Sequence, residues 1–380
     1  MLTAEGCRQR RARLWAAFEE PPDWILLSEP RHLMYFANYS ANPFIFRSQN
    51  ASALLVLGPD ETAVLVADNM LEKFAAEAHV SDVVAPTWYD GKGAAPERQA
   101  VLVEAALDTM QTRRGSRIGF DEAVPASVSL RLSETRPNLS ATVVGPVARR
   151  LMRSKDADEI ALLRRSMLAI EAGFAAAREH VHPGMTELQA YRVVQDAATG
   201  AAGEPVLVYG DLVSGPRTLE KGGPPSTRTI EAGDLFLLDY SVVIHGYRGD
   251  FANTWVIDSP ATMRQREVAG VCLDAMAAAE ALLKPDAPAR SIDAAVRQVF
   301  ERHGVLEHFP HHTGHGVGLG HPDPPYLTRD SRDALLAGDV LTIEPGLYID
   351  DVGGMRFERN YLVTEDGFEL LSHHQLGLDT

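Results

Sequence analysis

Two acidic residues set into each of two apolar hairpins constrain this chain more than any other feature. Residues 234–257 read DLFLLDYSVVIHGYRGDFANTWVI, two β-branched and aromatic runs around HGYRG, which predicts an antiparallel hairpin. With the turn centred between Ile244 and His245, Asp239 falls opposite Asp250 on one face. Like charges facing each other across a ladder are destabilising, and Asp239 closes the run LFLL, where a solvated carboxylate is uncommon. A cation between the two aspartates removes the conflict. The pattern repeats in VLTIEPGLYIDDVGGMRFERNYLV, residues 340–363, where a turn centred on Asp351 sets Glu344 opposite Glu358. The alternative, unrelated surface carboxylates, must account for two such coincidences.

Between the hairpins runs HHTGHGVGLGHPDPPY, residues 311–326. Four carboxylates can hold two hard or borderline divalent ions, and one imidazole shifts the preference from Mg or Ca toward Mn, Fe, Co or Zn. His315, between Gly314 and Gly316, sits on backbone bare enough to approach such a centre. His308, His311, His312 and His315 follow helical spacing, but Pro310, Gly314 and Gly316 oppose a helix there. There is no HExxH, so a single-zinc protease site is not indicated, and the glycines do not match GxGxxG after a strand. His308 and His312 are assigned surface or hydrogen-bonded structural roles.

A chain of 380 residues suits two domains. Residues 1–150 read as alternating helices and short β-branched strands, an α/β layer; residues 151–380 read as α+β, with two long amphipathic helices punctuated by HPGM and then antiparallel strand pairs. The net charge of −16 argues against nucleic acid or an anionic membrane as partner. No apolar run reaches the roughly 18 residues of a membrane span. The N-terminus reads as an amphipathic helix and not a signal peptide, and Cys7 and Cys272 offer no disulfide framework, so a cytoplasmic location is expected.

These residues resemble the pita-bread metallopeptidases, the family of methionine aminopeptidase, Xaa-Pro aminopeptidase, prolidase and creatinase. The resemblance rests on Asp239 and Asp250, HHTGHGVGL at 311–319, TIEPGLY at 342–348 and GMRFERNYLVTEDG at 354–367, in that order. RSKDADEIALLRRS resembles the start of the catalytic domain, and residues 1–150 the N-terminal domain of the prolidase and creatinase branch. The resemblance implies a C-terminal pita-bread domain behind a smaller creatinase-type α/β domain. It implies that Asp239, Asp250, His315, Glu344 and Glu358 hold two divalent ions, manganese foremost, with Zn, Co or Fe as alternatives. It further implies Glu344 as general base, His311 as a substrate-binding or proton-shuttling residue, and Arg356 as a group orienting Glu344 or the substrate. The substrate class implied is a small peptide or small amide. A homodimer is also implied, with NPFIFRSQN and its Arg47 closing a partner's site.

Two departures stand out. Peptidase members carry a histidine in a loop before the first metal strand, where this chain has Gly222, and another seven residues after the ligand, where this chain has Pro322. His321, one residue early, either substitutes for the second or remains a loop residue. Losing a proton-transfer group of this kind costs on the order of 10²–10⁴-fold in rate. The alternatives to a Xaa-Pro peptidase are therefore a member acting on a small molecule, as creatinase, ectoine hydrolase or lyase relatives do, or a non-catalytic binding member.

Overall fold

The computed structural model describes residues 1–41, 53–111, 117–135 and 139–379, and the chain divides into two compact units, Met1–Met152 and Arg153–Thr380. The segment NPFIFRSQN with Arg47 lies outside the described residues. The architecture is α+β.

In the first unit, β1 (Trp24–Leu27), β2 (Leu54–Leu57), β3 (Ala63–Val66), β4 (Asp82–Val84), β5 (Arg117–Phe120) and β6 (Ser140–Val143) form one sheet in the order β4-β3-β2-β1-β5-β6. It is mixed: β2 runs antiparallel to β1 and β3, and the other pairs are parallel. The runs WILL, LLVL and AVLV are buried at every position, the pattern of strands covered on both faces. Helices α1 (Ala4–Ala16), α2 (Pro30–Ala37), α3 (Glu72–Ala75), α4 (Arg98–Gln111), α5 (Ala126–Thr135) and α6 (Gly145–Leu151) accompany the strands. On one face Leu26, Val56 and Val66 pack with Leu102, Ala106 and Met110 of α4.

The second unit opens with α7 (Ala157–His180) and α8 (Glu187–Ala202). Capping boxes start both helices, Asp156 with Glu159 and Thr186 with Gln189, and Gly203 in the left-handed region closes α8. β7 (Leu207–Ser214), β8 (Leu235–Ile244) and β9 (Tyr247–Val256) form an antiparallel sheet on which α7 packs, Phe174 stacking on Phe251 with ring centroids 5.6 Å apart. Then come α9 (Met263–Glu280) and α10 (Ala289–Arg302), followed by β10 (Gly314–Gly316), β11 (Asp323–Leu327), β12 (Val340–Ile343), β13 (Gly346–Ile349), β14 (Gly353–Arg356), β15 (Arg359–Val363) and β16 (Phe368–Leu370). The order β11-β10-β12-β15-β16 makes a second sheet, while β13 and β14 pair separately. Cys272, Met276, Val296 and Phe300 of the helices share a core with Leu341, Ile343, Phe357 and Tyr361. Among the described residues no helix is long and apolar enough to cross a membrane.

The first hairpin corrects the expected register. Ile244 pairs with Tyr247, so the turn is the dipeptide His245-Gly246, with φ of 49° and 87°. Two consecutive positive φ values are what a tight two-residue hairpin turn requires, and glycine at the second position supplies one at no steric cost. Asp239 therefore pairs with Ala252 and Asp250 with Ser241, making the aspartates diagonal neighbours rather than direct partners. Because side chains alternate with period two, the shift leaves them on the same face.

The second hairpin keeps its expected centre. Val340 pairs with Leu362 and Gly346 with Arg356, both symmetric about Asp351. The pairing lapses between these ladders, and Glu344 and Glu358 stand in the gap. Their backbone N–H groups turn elsewhere: Glu344 donates to Thr313 O (2.9 Å) and Glu358 to Ala252 O (2.9 Å). The lapse thus stitches the glutamates to the histidine run and to the aspartate hairpin.

Candidate metal centre

Asp239, Asp250, His315, Glu344 and Glu358 line one cavity of about 380 Å³ in the second unit, each delivered by a different strand or strand end. Asp239, Asp250 and Glu358 bring oxygens within 4.8 Å of one another, and His312, His315 and Glu344 form a second such cluster. His315 Nδ1 lies 3.0 Å from the Gly316 carbonyl, which only accepts, so Nδ1 carries the proton and Nε2 is left as a ligand atom. That Nε2 is 3.7 Å from Asp250 Oδ2 and 3.6 Å from Glu344 Oε1, too far for hydrogen bonds. Strand β10 is glycine-flanked because its neighbours are close: a Cβ on Gly314 would stand 2.1 Å from Thr342 O, and one on Gly316 2.2 Å from Pro324 O.

The electrostatics call for added positive charge. Burial, reinforced by Asp239, Asp250 and Glu344, pushes Glu358 well above the usual carboxylate range. Burial also raises Asp239, against the attraction of Arg356 and with added repulsion from Asp250, Asp211 and Glu344. Asp250 and Glu344 go the other way: burial opposes ionisation, but hydrogen bonds and charge from His321 and His312 overcome it. These contacts are close, with His321 Nε2 2.6 Å from Asp250 Oδ2 and His312 Nε2 3.0 Å from Glu344 Oε1. Both histidines are raised in return, by those same hydrogen bonds. Buried carboxylates need a partner or a metal, and an oxygen-rich donor set with one free imidazole nitrogen fits divalent cations.

The structure brings the remaining sequence-derived residues to the same cavity. Arg356 Nη1 lies 2.9 Å from Asp239 Oδ2 and 4.0 Å from Glu344 Oε2, so its main contact is the aspartate. His311 is held rather than free: Nδ1 donates to the His312 carbonyl (2.8 Å), and Nε2 is 3.2 Å from the Tyr348 hydroxyl. Burial drives its pKa down to about 4, so it is neutral and accepts from Tyr348. His321, in the loop before β11, reaches Asp250, while Pro322 lines the wall beside it.

Three features went unread in the sequence. His312, assigned a structural role, contacts Glu344 directly. Asp293 on α10 accepts from Thr313 Oγ1 (2.8 Å) and from Arg297 Nε (2.7 Å), and Arg297 Nη2 donates to the His311 carbonyl (2.9 Å), so one helix turn fixes the backbone of the histidine run. Asp211 on β7 pairs with Asp239 across the ladder and adds another carboxylate to the wall. The available signal was its position in the otherwise apolar VLVYGDLV.

A buried, carboxylate-rich centre between two hairpins, on this topology, defines a pita-bread metallohydrolase. Residues 161–365 match the model of metallopeptidase family M24, and the chain belongs to that family, which implies divalent metal ions. The chain is 27% identical over 282 residues to an uncharacterized peptidase, YqhT, of Bacillus subtilis, covering 73% of this chain and 78% of that one. It is 30% identical over 223 residues to a Xaa-Pro dipeptidase of Pyrococcus furiosus, where the match spans 59% of this chain and 63%, under two thirds, of the relative. The fold matches a Xaa-Pro dipeptidase from Bacillus anthracis with a TM-score of 0.83 at 23% identity, covering 98% of this chain and 99% of that one.

Proposed function

We propose that this protein hydrolyses the amide bond of Xaa-Pro peptides, using two divalent ions, manganese foremost, held by Asp239, Asp250, His315, Glu344 and Glu358. The observation that carries the reading is the convergence of these five buried donors, from five separate elements, on one cavity. Ions bound there supply Lewis acidity, lowering the pKa of water and polarising the scissile carbonyl. Glu344, held ionised by His312, takes the proton of the attacking water and returns it to the leaving nitrogen. Arg356 keeps Asp239 oriented through the 2.9 Å contact. His321, beside Asp250 at the cavity wall, supplies an N–H donor where the resemblance leads one to expect the histidine missing at position 322.

The test is product release by manganese-reconstituted protein from a panel of Xaa-Pro dipeptides and tripeptides, with Glu344→Ala alongside. Cleavage that disappears in the variant supports the reading; silence from metal-loaded protein overturns it. A second reading, a small non-peptide amide as substrate, is favoured by Gly222, which leaves the wall without the histidine expected there. The proposed setting is the cytoplasm and the proposed assembly a homodimer, the latter checked by sedimentation of the purified protein.

A further inference from the structure

The wall beside Gly222 is rebuilt around Asp211. A Cβ on Gly222 would stand 2.0 Å from Asp211 Oδ2, and the backbone there holds φ at 145°, so no side chain starts from this position without displacing the carboxylate. Asp211 is anchored on both oxygens: Gly223 N–H donates to Oδ1 (2.8 Å), and Arg356 Nη2 donates to Oδ2 (3.2 Å). Its side chain remains 32% exposed, against 11% for its ladder partner Asp239. A carboxylate offers about four lone-pair sites, so acceptor capacity is left over on the exposed side. Arg356 does not cancel this charge, because its guanidinium is divided among Asp239, Asp211 and the Lys221 carbonyl. Lys221 itself stands exposed at the rim.

We infer that Asp211 is a specificity-determining residue that accepts a cationic group of the substrate, an ammonium or guanidinium, so the site selects positively charged amides over those with a carboxylate or a neutral group at that place. An imidazole can donate to a substrate carboxylate, whereas an acceptor-only anion in the same space repels one. This deepens the hydrolase reading and rests on it for the site.

The test uses binding, so it stands apart from turnover. The probes are alanyl-proline analogues whose scissile carbonyl is reduced to CH₂, in two matched pairs: free against acetylated amino terminus, and aminoethyl amide against free carboxylate at the proline end. Calorimetric Kd values are measured on manganese-loaded wild-type protein, Asp211→Asn and Asp211→Glu. Wild-type protein is expected to prefer the cationic member of at least one pair. Asp211→Asn lowers that Kd ratio about tenfold, the scale of one charge contact at a partly exposed site, and Asp211→Glu retains it. A ratio within one sample does not depend on the folded fraction. Ratios unchanged in Asp211→Asn for both pairs, or wild-type preference for the carboxylate, overturn the inference. Selective binding without hydrolysis of any Xaa-Pro peptide would overturn the hydrolase reading alone.

Discussion

Replacing Gly222 by alanine tests whether this wall is as tightly built as its geometry says. The added Cβ would lie 2.0 Å from Asp211 Oδ2 and 2.4 Å from Cγ, and φ is 145°, a conformation that L side chains rarely adopt. The backbone strain costs about 1–3 kcal/mol. Asp211 cannot yield freely, since Gly223 N–H and Arg356 hold its two oxygens; pushing it aside leaves a buried guanidinium N–H short of an acceptor, about 1–3 kcal/mol more. The sum, roughly 2–6 kcal/mol, is a large share of the about 5–15 kcal/mol that holds a typical domain folded. At about 2–4 °C per kcal/mol for a unit of this size, the Tm falls on the order of 5–20 °C. Gly223→Ala is the internal control. Its φ is 144°, but the nearest atom to its Cβ is 3.3 Å away, on Arg217, so it carries the strain without the collision. Scanning calorimetry of the two variants therefore separates the terms: Gly222→Ala melts well below Gly223→Ala, and adding Asp211→Ala to Gly222→Ala recovers part of the difference. Equal melting temperatures for the two glycine variants would refute the reasoning.

Removing metal exposes the charge imbalance as a pH effect. His312 and His321 are raised by their carboxylate partners, and Asp239 and Glu358 by burial and repulsion, so all four contribute stability that is present in full below their unfolded pKa values and is lost as pH rises through the folded ones. Asp250 and Glu344 are lowered, so their contribution is complete above their unfolded pKa values and is lost only as pH falls into the acid range, while His374, lowered to about 3 by burial, stays neutral from about pH 6 to about pH 8. The Tm gap between metal-loaded and chelated protein is expected to widen from about pH 6 to about pH 8, and a gap that narrows sinks the account. Asp293→Ala releases the Thr313 hydroxyl and Arg297, and through them the His311 backbone, so kcat/KM on a cleaved peptide falls at least about tenfold. A lowered Tm with kcat/KM unchanged would reduce Asp293 to a purely structural role.

Much of the candidate site was legible because its carboxylates sit where burial conflicts with charge. Asp239 closes LFLL, Glu344 closes VLTI, and the strands that carry them are buried along almost their whole length. The centre of the second hairpin followed from symmetry about Asp351. That of the first was misjudged by one residue, because the geometry of the His245-Gly246 turn is decided by two positive φ values that alternation alone does not reveal. The error moved partners by two positions and left every side chain on its correct face, which is why the cluster survived it.

What sequence could not supply were contacts between elements that are neither adjacent nor symmetric. His312 reaches Glu344 because Thr313 O receives the Glu344 N–H where the hairpin ladder lapses, and no periodicity announces such a lapse. Asp211 obeys the same rule as the candidate ligands, a carboxylate in an apolar strand, yet its partner is Asp239 across the ladder and its reason is Gly222, eleven residues on. Gly222 therefore reads differently in sequence and in space. In sequence it is a missing histidine; in the fold it is the space that the Asp211 carboxylate occupies, and the two residues together set the charge of the cavity wall.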